Sequence, residues 1–460
     1  MTSVELEAPP GRDRSHVRPM AILAVLIPVI ISTIDISLTS TALPTIARDI
    51  GTTAATSIWV VNVYYLVVVA SLLPLAALGE IIGHRRVFLA GQILFLAGAL
   101  ASGLAWSLPS LVVSRALLGL GAAAISAVTP ALIRFIYPPE RLGRGLGLYV
   151  LVVGVSFTAG PTMASLVLSV AGWPWLYLPS IPFGLAALAL SLRHLPATER
   201  SPHRFDGASA LLCAALFALI LFGLAGIAHR MGWVVILGAW GGALACGYAL
   251  LRREVGRPAP ILAMDLFRIP LFALSSMTSI CAFTVQGLAF VALPFLLHNG
   301  LGYGQAETGL LITPWPAALA IMTFIAGPMG DRYPPGILGG CGLLVLMAGL
   351  AGVALLPADA SPLDIAWRLA LCGVGFGFFQ SPNMRAIMAS APRERSGGAS
   401  GIVATSRLLG QAIGAAIVAL CLSLAPAQGA ILAIWVGCGA AALGSLASFL
   451  RLLPGVRGRS

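Results

Sequence analysis

Residues 31–44 read ISTIDISLTSTALP and set a lone carboxylate, Asp35, behind a run that from Met20 to Ile30 is almost wholly apolar. On a helix, Asp35 lies about 22 Å beyond Met20 at 1.5 Å per residue, and Ser32 and Thr39 share its face. A charge at the centre of a bilayer costs about 3 kcal/mol on insertion scales, so such residues face a cavity or a partner. A carboxylate there holds a proton or a cation but not both, and that competition couples the two. One charge moved through 100 mV supplies about 2.3 kcal/mol, enough for more than a tenfold gradient of the other species. The plainer reading of Asp35 is an inert side chain that caps a break or pairs with an arginine.

Arg115 is the basic residue set deep in the first half of the chain. It suits a partner that tunes the protonation of Asp35 or of a water path. It also suits a structural arginine bonding carbonyls of the small-residue run Gly119–Ala124. Glu307, beside HNGLGYGQAE, is a candidate second acidic site or a solvated residue at a mouth. Arg368 has Asp364 one turn before it, a spacing that neutralises both charges. Aromatic side chains able to ring a cation are Trp59, Tyr64, Tyr65, Phe283, Phe290, Trp315, Phe376 and Phe379. Each cation–π contact is worth about 0.5–2 kcal/mol, so several together hold a lipophilic cation without close fit. Core packing or lipid contact is the alternative for each. Trp106, Trp173 and Trp175 stand at helix ends, as interfacial anchors do.

Other chemistries find little support. The seven cysteines (Cys213, Cys246, Cys281, Cys341, Cys372, Cys421, Cys438) form no C-x-x-C pair and no metal spacing with histidine, and read as small packing residues. No metal site is expected. A phosphate-binding G-x-x-x-x-G-K-[ST] loop is ruled out because all 27 basic residues are arginine. No cofactor is expected, and the proton motive force would be the energy source.

The elements that position these residues follow from composition. Of 460 residues 58% are hydrophobic and 9% charged, with a mean hydropathy of +0.96, against about 25% charged in soluble proteins. The chain therefore reads as an all-α integral membrane protein. Fourteen apolar blocks of bilayer-crossing length span 20–43, 57–79, 86–106, 109–136, 144–170, 174–192, 207–227, 231–251, 270–296, 305–328, 336–356, 363–388, 397–423 and 428–452. Twenty arginines fall in the tails and even-numbered loops, and only Arg48 and Arg230 in the odd-numbered ones. Both termini are thus expected on the cytoplasmic side. The net charge of +11 reports topology and not a nucleic-acid partner.

The blocks repeat. Pro44 and Pro294, Glu80 and Asp331, and Arg115 and Arg368 recur at separations of 250, 251 and 253. By the same spacing Gln286 repeats Asp35 without its charge, which makes it a cavity candidate. The expected plan is a tail (1–19), a six-helix bundle (20–192), a linker (193–206), two interposed helices (207–251), a loop (252–269), a second six-helix bundle (270–452) and a tail (453–460). Parallel repeats around a midplane site suit a secondary transporter.

These residues resemble the major facilitator superfamily, and within it the fourteen-helix drug:proton antiporters that include quaternary-ammonium and methyl-viologen exporters. D-x-S-x-x-x-x-A-L-P at Asp35–Pro44, Arg115 with Gly119 and Gly121, and Gly160-Pro161 resemble that group's signatures. So do PILAMDLFRIPLF at 260–272 and the run from Ser381 to Gly414. The resemblance implies a major facilitator fold, a cytoplasmic gate at Glu80, Gly83, Arg85, Arg86, Asp331 and Arg332, and a helix-five antiporter motif at Gly160 and Pro161. It also implies a bacterial inner membrane and a monomer among lipids. Three departures stand out: Glu80 and Ile81 replace Asp and Arg, Ala164-Ser165 replaces a glycine pair, and Trp173-Pro174-Trp175 replaces W-R-W.

Three functions follow as expectations. The first is proton-coupled export of lipophilic or quaternary cationic drugs by alternating access. The second is the same fold with another cargo, such as an anionic drug, a metabolite or a siderophore, which Arg115, Arg368 and Arg407 keep open. The third, a sensor, scaffold or membrane enzyme, finds no soluble domain and no constellation of nucleophile, base and metal.

Overall fold

The computed structural model describes residues 19–138, 142–196, 198, 205–228, 231–254, 264–357, 359–392 and 396–453. Most of both expected tails, and much of the 193–206 and 252–269 connections, lie outside the described residues. The helices are α1 (Pro19–Ile50), α2 (Ala54–Ser57), α3 (Trp59–Ile82), α4 (His84–Gly103), α5 (Leu108–Ile136), α6 (Leu142–Val170), α7 (Ser180–His194), α8 (Gly207–Ala228) and α9 (Trp233–Glu254). They continue with α10 (Pro270–Phe295), α11 (Gln305–Ile312), α12 (Pro314–Arg332), α13 (Pro335–Ala354), α14 (Pro362–Ser390), α15 (Ser396–Leu424) and α16 (Gly429–Leu450). Among the described residues there is no strand.

Thirteen spans are long and apolar enough to cross a membrane. The fourteenth crossing, the expected 305–328 block, is split at Thr313 into α11 and α12. Pro314 begins the second piece, where its missing N–H does no harm. Pro44 does not end the first crossing, as its block limit implied. Helix α1 runs on to Ile50, with Pro28 and Pro44 inside it, because neighbouring helices can satisfy the backbone groups a proline frees. Outward faces carry bare apolar side chains such as Val113 (71% exposed) and Val234 (86%), as lipid contact requires.

The two halves pack alike. In the first, α4 lies on α5, α3 on α5, α1 on α6 and α7, and α4 on α7; in the second, α13 lies on α14, α12 on α14, α10 on α15 and α16, and α13 on α16. Two lateral seams join the halves, α6 with α11 and α3 with α15, and the repeat carries one onto the other; α1 also meets α10. Helices α8 and α9 pack on each other, and α8 sits against both α3 and α15.

Close approaches fix the register of the repeat. A Cβ at Gly98 would lie 2.5 Å from the Leu118 nitrogen, and one at Gly349 would lie 2.9 Å from that of Cys372. A Cβ at Gly91 would lie 3.0 Å from the Gly121 carbonyl, and one at Gly342 would lie 2.7 Å from that of Gly375. Helix α5 therefore maps onto α14 at 254 residues, so Leu369 is the counterpart of Arg115 and Arg368 is not. The Ser37–Phe157 contact recurs as Gly287 against Gln411, which maps α1 onto α10 at 250. The counterpart of Asp35 is thus Val285, and Gln286 is one residue off. One residue turns a helix by about 100°, a rotation that landmarks at helix ends do not report.

At the end of the assembly where α1 begins, Arg451 is buried. It donates to Asn383 Oδ1 at 2.7 Å and Ser275 Oγ at 3.1 Å, tying α10, α14 and α16 together.

Candidate functional site

Asp35 and Arg115, picked out separately in sequence, meet in the middle of the first half. Arg115 Nη1 donates to Asp35 Oδ2 at 2.6 Å, with both side chains almost wholly enclosed. The small-residue stretch of α5 lets this happen. A Cβ at Gly119 would lie 3.0 Å from the Tyr64 carbonyl, so only glycine lets α3 approach closely enough to lay Tyr64 on the guanidinium.

Two aromatic rings flank the cation. The Arg115 guanidinium carbon lies 4.8 Å from the Tyr64 ring centre and 5.5 Å from that of Tyr177. Tyr65 meets Tyr64 edge to face at 5.8 Å, and Thr39 donates to the Tyr177 hydroxyl at 3.4 Å. Among the described residues Arg115 Nε and Nη2 have no hydrogen-bond partner, and the two rings and one carboxylate share the charge. Ser32 turns away and donates to Val29 O within α1.

Tyr177 escaped the sequence reading. Its signal is a phenol directly behind WPWL at the start of a crossing, where an interfacial role is the default for aromatics. Trp173, expected as an interfacial anchor, is buried and meets Tyr177 edge to face at 6.4 Å. The tight turn Trp173–Leu176 rotates it inward, while Trp106 and Trp175 stay exposed.

The other aromatic candidates form two separate groups. Phe290 lies 4.9 Å from Phe157 and 5.6 Å from Trp315, centre to centre. Phe283, Phe376 and Phe379 pack edge to face at 5.4–6.3 Å. Gln286 accepts from Gln411 Nε2 at 3.0 Å. Glu307 is exposed at the start of α11, accepts from the Gly304 N–H at 2.9 Å, and is not brought to Asp35.

The Gly160-Pro161 pair locks α6 to α1. Pro161 has no N–H for the Phe157 carbonyl four residues back, and Ser37 Oγ donates to that carbonyl at 2.9 Å. A Cβ at Gly160 would lie 2.5 Å from that of Ser37, so the glycine admits the serine. The expected gate residues remain within their own halves. Gly83 turns with a φ of 103°, which favours glycine, and Arg85 Nη2 donates to Leu192 O at 2.6 Å. Glu80, Arg86 and Arg332 are exposed; the Asp331 side chain lies outside the description. Arg368 is held by Asp364 at 2.9 Å and by the Gly352 carbonyl.

Comparison with known proteins places this geometry. The family model described as the Major Facilitator Superfamily matches residues 25–415. The chain is 46% identical over 405 residues to "Uncharacterized transporter YebQ" of Escherichia coli (strain K12), covering 88% of this chain and 89% of that one. It is 32% identical over 416 residues to "Multidrug resistance protein Stp" of Mycobacterium tuberculosis (strain CDC 1551 / Oshkosh), covering 87% and 73%. A solved POT family transporter in complex with 5-aminolevulinic acid matches with a TM-score of 0.70 at 17% identity, over 96% of this chain and 97% of that one, a likeness of fold alone. With thirteen spans apolar enough to cross a membrane among the described residues, its duplicated halves and a match over most of its length, the chain belongs to the Major Facilitator Superfamily, a family of multi-pass membrane transporters and not of enzymes.

Proposed function

We propose that the chain is a proton-coupled exporter of small drug-like molecules, akin to the fourteen-helix drug:proton antiporters, in a bacterial inner membrane with both termini cytoplasmic. The observation that carries this reading is the enclosed Asp35–Arg115 pair. A proton arriving at Asp35 neutralises the carboxylate that Arg115 Nη1 holds, which leaves the guanidinium to the Tyr64 and Tyr177 faces. Tyr64 rides on α3, one side of the α3–α15 seam between the halves, so the change of charge is felt where the bundles 20–192 and 270–452 rock against each other. The kinship with a multidrug resistance protein supports the export direction.

Two cargo classes follow. A lipophilic or quaternary cation would compete with the proton for Asp35, and to do so it must displace Arg115. An anionic cargo is the second reading, favoured by Arg407, which stands near the middle of α15 with no carboxylate beside it among the described residues.

The test uses inverted membrane vesicles carrying a respiration-driven pH gradient. Tetraphenylphosphonium, methyl viologen and a set of aromatic acids are added in turn, to the wild type and to Asp35→Asn. Collapse of the gradient by any of them in the wild type, and by none in the variant, is the expected result. Collapse that persists in Asp35→Asn would move the coupling site elsewhere, and silence from every compound in the wild type would sink proton-coupled export.

A further inference from the structure

Helix α15 carries a cation whose surroundings differ from those of every other described arginine buried in the helices. Arg115 has Asp35, Arg368 has Asp364, and Arg451 is ringed by Asn383, Ser275 and Ser448. Arg407 is half-buried, and among the described residues neither a carboxylate nor a hydrogen-bond acceptor meets its guanidinium. Among the described residues every carboxylate except Asp35 stands in an end turn or a connection. The Asp35 charge is already matched by Arg115, so the helical interior keeps one unmatched positive charge. A charge within a membrane helix faces the interior, a cavity or a partner.

Its neighbours shape a site. A Cβ at Gly401 on α15 would lie 3.1 Å from Leu73 on α3, and the two helices run antiparallel. Six residues further along α15, roughly 9 Å, Arg407 comes level with Val67, within a turn of Tyr64 and Tyr65, and its charge reaches both of their hydroxyls. One turn beyond Arg407, Gln411 uses its amide N–H on the Gln286 oxygen, which leaves the Gln286 amide N–H groups as donors. Between Arg407 and Gln411, a Cβ at Gly410 would lie 2.9 Å from that of Phe283. The aromatic cluster Phe283–Phe376–Phe379 thus packs against α15 one turn from the cation.

We propose that Arg407, Gln411 and Gln286 form the anion-holding half of the cargo site, and that they take the carboxylate of an aromatic organic acid. The inference rests on the exporter reading above and narrows its cargo. The guanidinium supplies a planar two-point donor for a carboxylate, the glutamines add neutral donors, and the phenyl wall receives the ring. Asp35 remains the proton site, so a proton moving one way is exchanged for an organic anion moving the other, and no bond is made or broken.

The test is calorimetric binding to the full-length protein in nanodiscs, with 2-naphthoate and its neutral isostere 2-naphthamide as probes. For the wild type the acid should bind at least tenfold more tightly than the amide. Arg407→Gln should erase that preference, and Arg407→Lys, which keeps the charge without the fork, should keep part of it. Equal binding of the two probes by the wild type, no binding of the acid, or a preference that survives Arg407→Gln overturns the proposal. Where Arg407→Gln proves unstable, the wild-type ratio and Arg407→Lys decide. Gradient collapse by any of the vesicle compounds, compared between the wild type and Asp35→Asn, reads the Asp35 proposal separately, so failure of one is distinguishable from failure of the other.

Discussion

The hydroxyls of Thr162 on α6 and Thr313 at the α11–α12 break lie 2.7 Å apart and share a hydrogen bond across the boundary between the halves. One turn away, Gly309 presses on α6, where a Cβ would lie 2.9 Å from that of Ser165. The serine that departs from the family's glycine pair is thus accommodated by a glycine on the facing helix. Gly309→Ala should overpack this seam, at about 1–3 kcal/mol, and lower the Tm. Adding Ser165→Gly should restore only part of the loss, because the new Cβ would still lie 2.3 Å from the Pro161 carbonyl. An unchanged Tm in the single variant would show that the seam is loose.

Asp35→Asn and Arg115→Gln should not be equivalent. Removing one partner of a buried pair costs about 3–5 kcal/mol, but a lone Asp35 can be neutralised by a proton, and a lone arginine stays charged. Asp35→Asn should therefore lower thermal stability more than Arg115→Gln, and the double variant should recover part of the loss. Equal single losses that simply add would argue that the two groups do not interact.

Tyr177 separates ring from hydroxyl. Tyr177→Phe gives up only the long Thr39 bond, which costs under about 1 kcal/mol, and should keep gradient collapse intact. Tyr177→Leu removes the ring face on Arg115, worth about 0.5–2 kcal/mol, and should weaken transport. Equal behaviour of the two in the vesicle assay would show that the ring contact is incidental.

Ser37→Ala should strand the Phe157 carbonyl that Pro161 leaves without a helical donor, at a cost of about 1–3 kcal/mol. The Ser37→Ala/Pro161→Ala double variant returns an N–H to that carbonyl and should be closer to the wild type than addition of the single effects predicts. Measured Tm values for the four proteins settle it.

Much of this was legible in the sequence, and the limits have physical causes. Crossings announce themselves because a helix needs about 20 apolar residues to span a bilayer. The 305–328 block was read this way too, and only its break at Thr313 into α11 and α12 was missed. Asp35 and Arg115 stand out because charge is rare at such depth. Their pairing was one of the readings the sequence left open, since the choice among them depends on how closely Gly119 lets α3 approach. Tyr177 was missed because a tyrosine near a helix end is unremarkable in sequence. The counterparts Val285 and Leu369 were missed because a repeat read from landmarks is good to a residue or two, and a single residue is enough to rotate a side chain off its site.

The placement of α8 has a consequence for how compounds dissolved in lipid reach the interior. The duplicated halves have two equivalent seams, but α8 and α9 cover the one between α3 and α15, and no interposed pair covers the one between α6 and α11. A hydrophobic molecule partitioned in the bilayer thus meets one seam closed by α6 and α11 alone and one shielded by a further helix. The traffic of such a molecule is handed, although the scaffold that carries it is nearly twofold.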